Sequence, residues 1–255
     1  MESDYITYEQ PLSEHMRVCL RLEQLFDKIS ALKPDLSPWN TQVLMASLVD
    51  ILIILDRPDL KSKLTKALSR LLEKLSPLQN ANSIDQDYLG SLIAQIDDLL
   101  THLINTNGKI AQSLRDNELL SALKQHHSTL GGPSCMDTPS YYYWLQLPKE
   151  QRSYDINNWL ETLKPIENIT DMLLQLARGS KDPMQKVAEN GFYHQVLNPK
   201  ENLGLIRITL PKAVEAYPEI SVGPHRVNIR WYAPKSDDRS APIEFDIPFE
   251  ITCCN

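Results

Sequence analysis

The residues with the most chemistry to offer lie at His225-Arg226-Val227-Asn228-Ile229-Arg230-Trp231. Drawn as a strand, this segment turns Val227, Ile229 and Trp231 to one face and Arg226, Asn228 and Arg230 to the other. Like-facing residues then stand about 7 Å apart. Arg226 and Arg230, two such steps apart, make an anion-reading surface, because each guanidinium offers bidentate hydrogen bonds to a carboxylate. A half-exposed strand with solubilising charges has the same pattern, and the residues alone leave the two readings level.

The remaining reactive side chains do not assemble into a catalytic set. There is no G-x-S-x-G elbow, no P-loop, no G-x-G-x-x-G and no H-E-x-x-H. His126-His127 invites a metal, but neighbours on a helix point about 100° apart and do not share one ion easily. A solvated helix end, with histidines that suit the dipole, is the better reading. Asp97-Asp98 and Asp237-Asp238 read as solvated acids, and Cys253-Cys254 as a strand-end tail burying a small thiol. The expectation is no catalytic residue, no metal and no cofactor.

Composition narrows the class further. The chain has 255 residues, 8 of them glycine, which argues against a Gly-rich cofactor-binding α/β protein. A net charge of −7 disfavours nonspecific nucleic-acid binding, though it permits a local basic patch. The acidic opening Met1-Glu2-Ser3-Asp4 is unlike a secretory signal. Val43 to Leu55, the longest apolar stretch, is interrupted by Ser47 and Asp50 and is short for a bilayer span. The four cysteines show no C-x-x-C spacing and suit a reduced cytoplasm.

Periodicity supplies the elements that must hold these residues. Tyr5 to Tyr8 predicts a short strand, stopped by Pro11, that joins a sheet formed much later in the chain. Helical spacing starts at Ser13 and carries Met16, Cys19, Leu20, Phe26 and Ile29 on its apolar side. A second helix, from about Asn40 to Leu55, is apolar nearly all round and belongs at the centre of a bundle. Leu60 to Leu75, Ser83 to Ile104 and residues 109 to 127 predict three more helices. The basic outer face of the Leu60 helix reads first as a solvated face.

Beyond them the texture changes. Tyr141-Tyr142-Tyr143-Trp144-Leu145, between two prolines, predicts a strand. Asn157 to Ala177 predicts a helix that Pro165 kinks or restarts. From Asn190 onward strands are expected at 192–193, 203–210, 220–221, 226–232 and 243–253. The fold class is therefore α+β: a helical bundle domain packed against a smaller antiparallel β-sheet domain. The helical domain is expected over 12–180, with a strand segment near 135–147 joining the sheet. Residues 181–255 with the N-terminal strand 1–11 form the β-sheet domain.

An ordered series of short matches then brings a family into view. Pro11 to Arg17 followed by Leu20-Arg21-Leu22-Glu23, Leu114-Arg115-Asp116, Pro139 to Trp144, and Leu147-Pro148 with Gln151-Arg152 are the first. Asn190 to Tyr193, Tyr217 to Ser221, Arg226 to Arg230 and Cys253-Cys254 complete it. Together these resemble the ZapD family of bacterial cell-division proteins associated with the FtsZ ring, over essentially the whole chain. Tyr141-Tyr142-Tyr143 is more aromatic than that pattern.

The resemblance implies a non-enzymatic, cytoplasmic homodimer at the division site that binds the C-terminal tail of FtsZ and bundles its filaments. It implies a basic cleft for the tail, whose matching residues here are Arg21, Arg57, Arg226 and Arg230, with Arg17 and Arg115 as further matches. It implies neither nucleic-acid binding nor membrane insertion. The dimer seam is open between the Leu60 helix and the Leu92 helix. Two rivals also stay open: a dimeric scaffold for a different acidic protein, and a hydrolase with a cleft between its domains.

Overall fold

The computed structural model describes residues 4–80, 85–129, 132–198, 201–234 and 241–255. The expected helix start at Ser83, the Gly131 break, the Asp237-Asp238 pair and the first three residues lie outside them. The fold is α+β, and the chain divides into two units. One contains the chain up to Arg17 together with Leu174–Asn255, and the other is Val18–Leu173. Two helices, α1 (Glu14–Leu32) and α8 (Lys149–Arg178), run through the boundary, so the unit Val18–Leu173 begins and ends inside a helix.

The helical unit is built around α2 (Pro38–Leu55). Pro38 fits the first turn, where its missing N–H costs no hydrogen bond. Nine α2 residues, among them Leu44, Leu48, Ile51, Leu52 and Leu55, are buried. At 18 residues α2 is long and apolar enough to cross a membrane, more than its shorter apolar run suggested, yet half of it is covered by protein, as in a core helix. Next come α3 (Leu60–Leu75) and α4 (Gln86–Asn105), which pack on each other. The Asp85 carboxylate starts α4 by accepting the N–H groups of Asp87 (3.1 Å) and Tyr88 (3.0 Å).

Three sequence expectations are corrected in this unit. Residues 109–127 are not one helix but two, α5 (Gln112–Arg115) and α6 (Glu118–Gln125). Asn117 separates them, its side chain accepting the Leu120 N–H to cap α6. The segment near 135–147 contains no strand and joins no sheet: Pro139–Leu145 is helix α7. Pro139 opens it, and the i, i+3 spacing of Tyr141 and Trp144 buries both rings on one side. Those rings lie 6.1 Å apart, and Trp144 lies 5.6 Å from Trp159 of α8. Ring packing at helical spacing overrode β propensity here. The last helix, α8, starts at Lys149, earlier than expected, and continues through Pro165 as one element of 30 residues.

The other unit holds two four-stranded antiparallel arrangements rather than one sheet. In the first, β1 (Tyr5–Pro11), β4 (Leu205–Pro211), β8 (Ile247–Cys254) and β2 (Met184–Ala188) lie in the order β1-β4-β8-β2. The N-terminal strand thus joins a sheet made two hundred residues later, as its β-prone run predicts. In the second, β6 (Arg226–Ala233) lies between β3 (Phe192–Val196) and β5 (Tyr217–Gly223), with β7 (Ala241–Pro242) also against β6. The inner faces of both share one core containing Ile206, Ile208, Val227, Ile229, Trp231, Phe249 and Ile251. Fully burying each such side chain stabilises the fold by about 1.5–3 kcal/mol.

A tight turn aims β3. Asn190 (φ 48°) and Gly191 (φ 69°) both have positive φ, the pattern of a type I′ hairpin. A Cβ at Gly191 would stand 2.1 Å from the carbonyl oxygen of Ile243, so only glycine fits. After this turn the two arms part, β2 pairing with β8 and β3 with β6.

Candidate functional site

Alternation along β6 works as drawn from its sequence. Val227, Ile229 and Trp231 are fully buried, while Arg226 and Arg230 are exposed and Asn228 is half-buried. The register assembles a surface around them. Arg226 lies between Val196 and Gly223, Asn228 between His194 and Ser221, and Arg230 between Phe192 and Glu219. Tyr232 follows, its ring 5.9 Å from that of Tyr217.

The guanidinium of Arg230 sits over the Phe192 ring at 5.7 Å, a cation–π contact that steadies the charge without neutralising it. Neither Arg226 nor Arg230 forms an ion pair with a described residue, although Glu219 is the cross-strand neighbour of Arg230. Phe192, Glu219, Ser221, Asn228, Arg230 and Tyr232 line an open depression of about 430 Å³. Val196, 77% exposed, adds an apolar element at the Arg226 end. The face pairs cations with apolar surface, which suits a segment carrying both carboxylates and apolar side chains. Phe192 and Val196 are the members that reading β6 alone misses; the signal was the Asn190-Gly191 turn, which fixes the register of β3.

The other arginines are placed differently. Arg17 is bound to Glu14 one turn earlier (2.8 Å), and Arg21 is exposed on α1 within the helical unit. Arg57 is half-buried just beyond α2. Arg115 is committed to the end of α2: it donates to the carbonyls of Leu55 (2.8 Å) and Ile110 (3.0 Å) and pairs with Asp56. Lys124 pairs with the same Asp56 carboxylate. Thus Arg226 and Arg230 share a face in one unit, whereas Arg21, Arg57 and Arg115 belong to the other.

An arginine that the sequence left without a role, Arg152, is buried in the helical unit. It donates to the hydroxyl of Thr41 (2.8 Å) and the carbonyl of Leu36 (3.0 Å), tying the start of α8 to the entry of α2. In the β unit, Glu9 accepts two hydrogen bonds from Arg178 (2.9 and 2.6 Å) and one from Arg207 (2.9 Å). Burial alone would raise its carboxyl, but the two arginines outweigh that and hold it below its ordinary value.

The reactive groups weighed in the sequence take quiet positions. His127 Nε2 is 3.0 Å from Asp50 Oδ1, and Asp97 and Asp98 are exposed on α4. Burial pushes the thiols of Cys253 and Cys254 up, away from the nucleophilic thiolate. Among the described residues no group of three or more His, Cys, Asp or Glu is placed to hold a metal.

Comparison with known proteins then decides the family. The ZapD family profile, described as "Cell division protein", matches residues 20–230. The chain belongs to the ZapD family. Among its relatives, Cell division protein ZapD from two strains of Coxiella burnetii is 38% identical over 256 aligned residues, covering 100% of this chain and 99% of each relative. Cell division protein ZapD of Methylococcus capsulatus is 32% identical over 249 residues, covering 98% of both chains.

Proposed function

We propose that this chain is a non-enzymatic cell-division factor that binds the C-terminal tail of FtsZ and, as a homodimer at the division site in the cytoplasm, bundles FtsZ filaments. The observation that carries the reading is the outer face of β6. There Arg226 and Arg230 stand two strand repeats apart, on either side of Asn228 and beside Phe192 and Val196, without a carboxylate partner among the described residues. Guanidinium groups beside apolar surface recognise a short tail that mixes acidic and apolar residues and orders on binding. Arg21 and Arg57 are the helical unit's cations in this reading. Arg17 and Arg115 take supporting parts, since each already holds a carboxylate of its own unit.

Bundling needs two tail sites in one particle, and a dimer supplies them by valency alone. The α4 helix favours it as the seam. Leu89, Ile96 and Leu103 are buried, while Leu92 and Leu99 form a second stripe, seven residues apart, that remains half-buried. A second copy would cover that stripe.

Sedimentation of FtsZ filaments at low speed tests the reading. The unsubstituted protein brings filaments into the pellet. Arg226→Glu with Arg230→Glu abolishes this while size-exclusion chromatography shows an unchanged dimer. Full bundling by the double variant would move the site elsewhere.

A further inference from the structure

The two sheets of the β unit have four edges, and three are guarded in the usual way. Exposed edges invite pairing with another chain, and proteins blunt them with charge or proline. Edge strand β1 carries Glu9 and Pro11, β2 carries Lys186, and β5 carries Pro218 and Glu219. The fourth edge, β3, reads Phe192-Tyr193-His194-Gln195-Val196, with no proline and no formally charged residue.

The hydrogen-bond phase shows what this edge presents. Trp231 N–H donates to Gly191 C=O (2.9 Å), and Leu197 N–H donates to His225 C=O (2.8 Å). Antiparallel pairing alternates, so Tyr193 and Gln195 turn their backbone groups toward β6, and His194 and Val196 turn theirs outward. Phe192 N–H is taken by Glu189 C=O in the turn. Past that point β2 leaves for the other sheet, and among the described residues only β6 pairs with β3.

We infer that the open edge of β3 takes an extended acidic peptide segment as an added strand. This inference rests on the tail-capture reading above and gives its mode: the tail pairs its backbone with His194 and Val196. An added strand lies two strand spacings from β6, about 10 Å. An arginine and an acidic side chain close that gap between them. Carboxylates four residues apart on one face of the segment then face Arg226 and Arg230, and apolar side chains on the same face meet Phe192 and Val196. Main-chain hydrogen bonds supply affinity and the alternate side chains supply selectivity.

The test uses the full-length protein and a fluorescent FtsZ C-terminal tail peptide. Amide hydrogen exchange at His194 and Val196 slows tenfold or more when the peptide is added, while Tyr193 and Gln195, already paired, change little. His194→Pro removes one outward N–H without touching a β6 bond, a substitution that sheet edges tolerate. It weakens peptide binding about tenfold with Arg226 and Arg230 intact. N-methylation of alternate peptide residues reproduces that loss in one register and not the other, independently of how the variant folds.

Binding that needs Arg226 and Arg230, with no change in exchange at His194 and Val196 and no N-methyl register effect, overturns strand addition and leaves tail capture standing. Binding indifferent to both arginines, with exchange at His194 and Val196 unchanged, moves the site away from β6 and overturns strand addition, and no binding overturns tail capture and strand addition together.

Discussion

At Glu9 a single carboxylate gathers β1, its cross-strand neighbour Arg207 on β4, and Arg178 at the end of α8. Its lowered proton affinity ties the stability of the β unit to pH. A carboxyl depressed by folding contributes stability above its unfolded pKa and loses it as pH falls through the folded value. Glu9→Gln is therefore expected to cost about 1–2 kcal/mol at neutral pH, the value of charge-assisted hydrogen bonds discounted for partial solvent access. Urea unfolding of both proteins should show the gap narrowing below the ordinary glutamate range and closing in stronger acid. A gap that stays constant with pH would assign the cost to packing. The sequence gives no hint of this cluster, because Glu9 and Arg207 are separated by most of the chain. The exposure of Arg226 and Arg230, by contrast, follows from strand alternation alone.

Elements were legible where one periodicity dominated. Leu60 to Leu75 and the alternation of β6 need only their own residues. At Tyr141 to Leu145 β propensity and helical ring spacing compete, and the deciding contact, Trp144 on Trp159, lies outside the segment. Strand β2 went unseen because Met184–Ala188 alternates weakly and depends on β8 for its partner. The half-buried stripe of α4 carries this scale's prediction. Leu92→Glu with Leu99→Glu should turn the dimer into monomers in sedimentation equilibrium, since a buried like-charge seam cannot close. The monomer should still bind the tail peptide with near-normal affinity and should fail to bundle filaments. A dimer that persists would place the seam on another surface.

For the whole molecule, the family is secure from the profile match and from relatives at 32–38% identity over nearly the entire chain. In the proposed reading the labour is divided: the β unit presents an arginine-and-apolar face, and the half-buried Leu92 and Leu99 of the helical unit meet a second copy. The central claim is that tail capture is electrostatic and requires the two arginines of β6. Fluorescence anisotropy of a labelled FtsZ C-terminal peptide, titrated with this protein at 50 and 300 mM salt, tests that most directly. The account predicts saturable binding that weakens about tenfold or more at the higher salt, by screening of exposed charges, and that disappears in the Arg226→Glu, Arg230→Glu variant. Binding of equal strength at both salts, or undiminished in the variant, would contradict it.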